Sequence, residues 1–458
     1  MSGRGTAHYL GLMLALFGVA ESAPAAVAAY YGERYWPAYL LASAAMLLVG
    51  AVLARLTRPE ALELPEASAV ALASFITPAL VNAAIWTLYG VSFVNALFDS
   101  VSGITTTGLS VLGGRLPHSL VFARAWLQWL GGLGIVVLTL SMLLKPGSAS
   151  HKLLVIHFRK PMGFPGSRVL SRAVVLIYVA LTAAALTAYI ASGLKPFDSL
   201  VYSLTTVSTG GFTSYARLAG PSLLVASVFM FISAQSFLTY FKLLRRDFKS
   251  LIRDPQTISF VTLLVLGGAI MYLSNPRLGI SKSFFESLSA VSTTGFPAFP
   301  LHSLGGGGVA ALTILMFVGA AVGSTGGGIK EFRLVVILKA IWRVLKESIA
   351  PKGEVRVVKV GGEPLTEGEV LRCFAVAAAY AVALAASTTV LAACGYSFTD
   401  SLLACASSLG TVGLQPSFIN PSLPLVPKIV LIINMLLGRL EVLTVLVAVS
   451  SLTQVRER

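Results

Sequence analysis

Apolar stretches of about 20 residues recur along almost the whole chain, separated by short polar loops, and each is long enough to cross a hydrocarbon core of about 30 Å as a helix. The pattern predicts spans at His8 to Tyr31, Trp36 to Leu56, Ala67 to Leu88, Leu120 to Leu144 and Val169 to Ala191. Further spans follow at Leu223 to Leu243, Ile258 to Leu273, Val309 to Trp342, Val370 to Ala393 and Val426 to Ser450. The first two are joined by the tight turn Gly32-Glu33-Arg34-Tyr35, which favours a retained hairpin over a cleaved signal peptide. The other eight form four pairs.

Between the members of every pair lies a shorter apolar segment with one recurrent ending. The four endings are Thr106-Thr107-Gly108-Leu109, Thr209-Gly210-Gly211-Phe212, Thr293-Thr294-Gly295-Phe296 and Thr411-Val412-Gly413-Leu414. Each reads Thr-x-Gly followed by Leu or Phe. An acid followed by serine precedes each glycine: Asp99-Ser100, Asp198-Ser199, Glu286-Ser287 and Asp400-Ser401, at spacings of 9, 13, 9 and 13 residues from acid to glycine. Four copies in equivalent places make an internal repeat rather than four ordinary outer turns.

Composition agrees with the span pattern. With 56% hydrophobic residues and 12% charged residues in 458, the chain holds more apolar side chains than soluble cores could bury, so an integral membrane protein is predicted. The formal charge of +15 does not point to nucleic acid, because the basic residues fall in loops between apolar spans. Lys145, Lys152, Arg159, Lys160, Arg168 and Arg172, then Lys242, Arg245, Arg246, Lys249 and Arg253, then Lys330 through Lys359, mark one side. By the positive-inside rule that side is cytoplasmic, both termini lie there, and the Thr-x-Gly copies face outward. Cys373, Cys394 and Cys405 form no CxxC pair, and the five histidines are scattered, so no disulfide framework, metal centre or hydrolytic cluster is indicated. Glu21, inside the first span, receives no function.

The segment from acid to threonine suits a short helix, capped at its start by the acid or serine, whose partly negative C-terminal end points at the glycine loop. It is too short to cross the bilayer, and non-helical backbone at that depth is tolerated only within protein or along water. Glycine admits backbone angles closed to other residues, so successive carbonyls can turn toward one axis. Four such loops can form a ring of carbonyl oxygens that replaces the hydration shell of a monovalent cation, as in filters made of four TVGYG loops. Asp99, Asp198, Glu286 and Asp400 either gather cations at the mouth of such a path or only cap the short helices.

Two further signals lie at membrane depth. A continuous helix from Val309 to Leu345 would measure about 55 Å, so Gly323-Ser324-Thr325-Gly326-Gly327-Gly328 is expected to break it, beside a pore or else as a packing kink. A nucleotide-binding P-loop is excluded, because Ile329 stands where lysine is needed and no strand pattern precedes. Arg439 lies about 16 Å along its helix from Lys428 and about 25 Å from Arg456, too deep to reach water easily. Glu441, two residues on, faces elsewhere on that helix, so both are expected to meet other segments or water, as in a structural ion pair that holds spans together.

These motifs, with Trp129-Leu130-Gly131-Gly132-Leu133-Gly134, Gly323 to Lys330 and Gly438-Arg439-Leu440-Glu441, resemble the membrane subunit of the Trk/Ktr/HKT superfamily of potassium transporters, TrkH/KtrB type. The resemblance covers most of the chain, including the leading hairpin. It implies K+ coordination by backbone carbonyls of Thr106, Thr107, Gly108, Thr209, Gly210, Gly211, Thr293, Thr294, Gly295, Thr411, Val412 and Gly413. Glycine at 108, 211, 295 and 413 matches the potassium-selective pattern. It also implies a gate formed by residues 323 to 328 with Arg439, a homodimer with one pore per chain, and a separate cytosolic nucleotide-binding regulatory subunit of TrkA/KtrA type.

The expected protein is therefore an all-α, ten-span channel-like uptake protein of the cell membrane, with K+ as transported ion, no cofactor and no enzymatic activity. Its divisions are a hairpin (1–60) and four units at 61–145, 146–250, 251–350 and 351–458, the third with a broken second helix. A secondary transporter coupling K+ or Na+ to H+ or Na+ is the alternative, with Glu441 as the nearest titratable group.

Overall fold

The computed structural model describes residues 3–60, 62–143, 167–244, 246, 252–349, 357–442 and 445. Lys145, Lys152, Arg159, Lys160, Arg245 and Lys249, on which the expected orientation partly rests, lie outside them, as do His151 and His157. The described chain is helical apart from connecting loops and one small hairpin of two-residue strands, β1 (Lys359–Val360) and β2 (Glu363–Pro364).

Helices α1 (Gly3–Tyr30) and α2 (Trp36–Leu56) form the expected hairpin. A Cβ added at Gly11, Gly18 or Gly50 would lie within 2.4–2.7 Å of the opposite backbone, so small residues set this close approach. The remaining helices are α3 (Leu64–Thr87), α4 (Phe93–Ile104), α5 (His118–Leu143), α6 (Ser167–Ala191), α7 (Pro196–Val207), α8 (Pro221–Ser233) and α9 (Phe237–Leu244). Then come α10 (Pro255–Ser274), α11 (Ile280–Val291), α12 (Gly306–Val318), α13 (Glu331–Glu347), α14 (Glu367–Ala393), α15 (Phe398–Leu409) and α16 (Leu425–Leu440).

Among the described residues seven helices are long and apolar enough to cross a membrane: α1, α2, α3, α5, α6, α10 and α14. The other three expected spans are each interrupted. The break between α12 and α13 was expected from the glycine run. The sequence pattern reads Leu223 to Leu243 as continuous, but the structure divides it at Ala234-Gln235-Ser236. Likewise the helix that carries Arg439 stops at Leu440, where Glu441 takes φ +64°, so Arg439 lies in a last turn and not midway along a span. An apolar run conceals such breaks because each interruption is held by partners distant in sequence, described below.

The short helices α4, α7, α11 and α15 occupy the interior, and packing joins them in a closed order. Helix α5 packs on α7, α8 on α11, α12 on α15, and α16 returns to α4. Each short helix is thus wedged between its own preceding long helix and the helix that follows another Thr-x-Gly segment.

Candidate functional site

The four short helices end immediately before the Thr-x-Gly segments, and all four segments share one backbone course. Thr106, Thr209, Thr293 and Thr411 have φ of 53°, 52°, 57° and 48°, and Gly108, Gly211, Gly295 and Gly413 have φ of 90°, 76°, 81° and 98°. The residue between, Thr107, Gly210, Thr294 or Val412, is not in the positive-φ region. A non-glycine residue in the left-handed region costs about 1–2 kcal/mol, so four threonines held there are imposed by their surroundings.

Those surroundings are the other segments. A Cβ built on Gly108 would lie 2.2 Å from the carbonyl oxygen of Gly210; on Gly211, 1.9 Å from that of Thr294; on Gly295, 1.8 Å from that of Val412; on Gly413, 2.3 Å from that of Thr107. Each glycine Cα therefore abuts the carbonyl of the next segment, and the fourth returns to the first. This is a closed ring that no side chain at the glycine position could enter. All four glycines line one cavity of about 740 Å³, together with Ser110, Arg124, Tyr202, Tyr215 and Gln415.

The ring is anchored from behind. Leu109, Phe212, Phe296 and Leu414, the residues after each glycine, are buried among the helices. Three of the acids hold the chain leaving the ring. Asp99 accepts hydrogen bonds from Val111 N and Ser110 Oγ, both at 2.8 Å, Asp198 accepts from Ser214 Oγ at 2.5 Å, and Glu286 accepts from Ala298 N at 2.7 Å. Asp99 also pairs with Arg124 at 2.9 Å, and that guanidinium lies 3.9 Å from the centre of the Phe212 ring. Asp400 alone takes part in a cap: Ser397, the N-cap of α15, accepts from Asp400 N at 3.1 Å and donates its Oγ to the Asp400 carboxylate at 2.8 Å. Asp99 and Glu286 lie midway along α4 and α11, so helix capping describes only one of the four acids. The adjoining serines explain the second half of the acid-Ser pair: Ser100 Oγ donates to Ala79 O and Ser287 Oγ to Leu264 O, each at 2.8 Å, tying α4 and α11 back to α3 and α10.

Gln128 was not singled out from the sequence, yet it explains why the second copy reads Thr-Gly-Gly. Its Nε2 donates to Gly210 O and its Oε1 accepts from Phe212 N at 3.3 Å, and a Cβ at Gly210 would lie 2.3 Å from its Cδ. A long polar side chain fills the space taken elsewhere by Thr107, Thr294 or Val412. The available signal was that deviation, together with a glutamine inside an apolar span. Gln128→Leu leaves the Phe212 amide and the Gly210 carbonyl unsatisfied, at about 1–3 kcal/mol each. The expected result is a lower melting temperature with loosened ion discrimination, measured by thermal unfolding and flux on the same preparation.

Beneath the ring runs the expected glycine loop. Gly319, Gly323, Gly328 and Lys330 all have φ between 72° and 78°. The loop folds back on itself, with Ile329 N donating to Phe317 O at 3.0 Å and Lys330 N to Val318 O at 2.9 Å. It is fixed to the ring by Gly327 N, which donates to Thr293 Oγ1 at 2.8 Å, and a Cβ at Gly327 would lie 2.2 Å from Thr411 Oγ1. It is fixed to the α8–α9 break by Phe237 N donating to Gly323 O at 2.9 Å and Ala321 N donating to Ala234 O at 3.2 Å. That docking accounts for the unexpected break, since amides freed from α8–α9 and the loop satisfy one another. Ser324 Oγ closes on Ala321 O, and Thr325 Oγ1 reaches Val207 O at 3.2 Å. Gly326 passes so close that a Cβ there would meet Thr293 Oγ1 at 2.8 Å.

Arg439 is 3% exposed and donates to two carbonyls, Thr325 O at 2.7 Å and Gly131 O at 3.0 Å. Among the described residues no carboxylate pairs with it. Glu441 instead pairs with Arg333 at 2.7 Å. Gly131 and Gly438, from two of the sequence motifs, let α5 and α16 touch the ends of α4 and α15: a Cβ at either would lie 1.8 Å from Ile104 O or Leu409 O. The sequence-predicted ring, loop and arginine thus form one continuous contact set.

The chain has relatives of known family and fold. The TrkH family, described as a cation transport protein, matches residues 79–275 and 256–455. The Trk system potassium uptake protein TrkH of Escherichia coli K12 is 30% identical over 97% of this chain and 98% of its own length. An uncharacterized cation transporter of Methanocaldococcus jannaschii is 29% identical over 98% and 95%. The crystal structure of the potassium transporter TrkH from Vibrio parahaemolyticus superposes with a TM-score of 0.85 at 28% identity, covering 98% of both chains.

Proposed function

Because the chain belongs to the TrkH family of cation transport proteins, and so is a multi-pass membrane transporter component and not an enzyme, we propose that it conducts K+ through the ring of Thr-x-Gly segments. The observation that carries this reading is the ring closure, in which each glycine abuts the next segment's carbonyl and all four face one cavity. K+ as the ion is supported by the potassium uptake proteins among the relatives. Carbonyl oxygens of residues 106–108, 209–211, 293–295 and 411–413 supply the ligands that water supplies outside. The four helix C-terminal ends add partial negative charge below them.

Loop 323–328 and Arg439 form the barrier beneath. The loop takes up the space under Thr293 and Thr411, and Arg439 adds a fixed positive charge to its carbonyl face. One chain supplies all four quadrants, 61–145, 146–250, 251–350 and 351–458, with 1–60 as an added hairpin. The ring cavity faces outward and both termini face the cytoplasm. The assembly is a homodimer. The basic stretch from Lys330 to Lys359 receives a cytosolic nucleotide-binding regulatory subunit, consistent with the Trk system named for the relatives. Coupled transport finds less support: Glu441, its nearest titratable group, is committed to Arg333.

Purified chain in proteoliposomes under an imposed voltage tests the reading. The expected result is uptake of K+ and Rb+ with Na+ and Li+ excluded. Uptake that requires an H+ or Na+ gradient and ignores voltage would assign the chain to the coupled class instead.

A further inference from the structure

Directly after the gate loop stands a carboxylate with no assigned role. Glu331 opens α13, is fully buried, and neither of its carboxylate oxygens meets a hydrogen-bond donor. Its backbone amide donates to Ala320 O at 3.2 Å, so it forms part of the stem that closes the loop. Asp254, the N-cap of α10, lies close enough to act on it electrostatically, while its own Oδ1 accepts from Gln256 N at 3.4 Å. Gln256 in turn holds the loop, its Oε1 accepting from Val322 N at 2.8 Å.

No opposite charge compensates Glu331 among the described residues. Helix α13 packs on α10, on α14 and against β1. On the α14 side, Arg333 is committed to Glu441 and Arg343 to Glu347 and Glu367, and Lys339 bonds Lys359 O. Lys330, the preceding residue, turns its Nζ to Gly326 O within the loop. A desolvated carboxylate beside another carboxylate, without donors, does not remain ionised.

We propose that Glu331 is a proton-binding site that senses cytosolic pH, holding a proton while the gate loop is docked and releasing it when the loop departs. The inference rests on the gate reading given above. Ionised, Glu331 is a buried charge without a donor and seeks water, which pushes the start of α13 away from α10, and the loop stem leaves with it. The charge balance is simple: one proton passes from the carboxyl to cytosolic water as the stem opens. By linkage, lower internal pH favours the docked loop and higher pH the open one.

Two measurements on the full chain test this separately from ion conduction. In infrared difference spectra between acid and alkaline pH, a protonated-carboxyl C=O band is expected in the parent chain and lost in Glu331→Gln. In proteoliposomes, K+ flux is expected to rise with internal pH by up to tenfold per unit, and Glu331→Gln to hold flux low and flat. A difference spectrum unchanged by Glu331→Gln, or a variant that keeps the parent pH profile, overturns the proposal. Flux governed by internal Na+ at constant pH would overturn it in favour of a metal cation at the carboxylate pair. If no K+ flux occurs in any variant while the band still disappears, the gate reading fails and the proton site stands.

Discussion

Gly295→Ser is expected to abolish discrimination between K+ and Na+ while leaving the protein folded. The added Cβ would sit 1.8 Å from Val412 O, where an ordinary contact is about twice as long. Neither partner is a flexible side chain that could swing aside. The ring must open by more than 1 Å at the third-to-fourth contact, and serine must also hold φ near 81°, costing about 1–2 kcal/mol. Carbonyl spacing is what replaces a particular ion's hydration shell, so a local opening reaches selectivity directly. Loss of selectivity on the order of tenfold or more follows, since about 1.4 kcal/mol corresponds to a factor of ten. Competition of Na+ with Rb+ uptake in proteoliposomes measures it. Retained selectivity in Gly295→Ser would show that the ring does not select the ion.

The same reasoning separates what was legible in the sequence from what was not. The Thr-x-Gly copies were legible because a positive φ at the third position together with a close backbone approach leaves only glycine, and four glycines in register cannot be hidden. The loop at 323–328 was legible by length alone, because a continuous helix over the 37 residues from Val309 to Leu345 exceeds a hydrocarbon core of about 30 Å. The breaks at 234–236 and at Glu441 were not, since the first exchanges backbone hydrogen bonds with the glycine loop and the second holds its Glu441 carboxylate on Arg333, partners roughly 90 to 110 residues away. The acids were found, but their work was not. A carboxylate that braces the chain leaving the ring and one that caps its own helix have the same composition, and only the register of α4, α11 and α15 tells them apart. Gln128 and Arg124 lie in a span whose apolar neighbours conceal them, and their value comes from segments they touch across space.

Arg439→Ala is expected to raise cation flux about tenfold or more, and this is the sharper test of the barrier. In the docked state the guanidinium bonds two carbonyls, Thr325 O and Gly131 O, in a buried site. Hydrogen bonds from a charged donor contribute about 1.5–3 kcal/mol each, so removing both shifts the loop's docked population by well over tenfold if nothing replaces them. Water entering the space left by the side chain recovers part of that, and the net effect falls back toward tenfold. The removed positive charge acts in the same direction, because a cation crossing beneath the ring no longer approaches an uncompensated guanidinium. Arg439→Lys distinguishes the two causes. A lysine keeps the charge but as a compact ammonium without the planar fork that spans one carbonyl of the loop and one of α5. Flux in the lysine variant near the parent level would make charge the main barrier, whereas flux near that of alanine would make the tether to Thr325 the main one. Parent-level flux in Arg439→Ala, in a chain that still unfolds cooperatively, would remove Arg439 from the gate and leave it as a brace between α16, α5 and the loop.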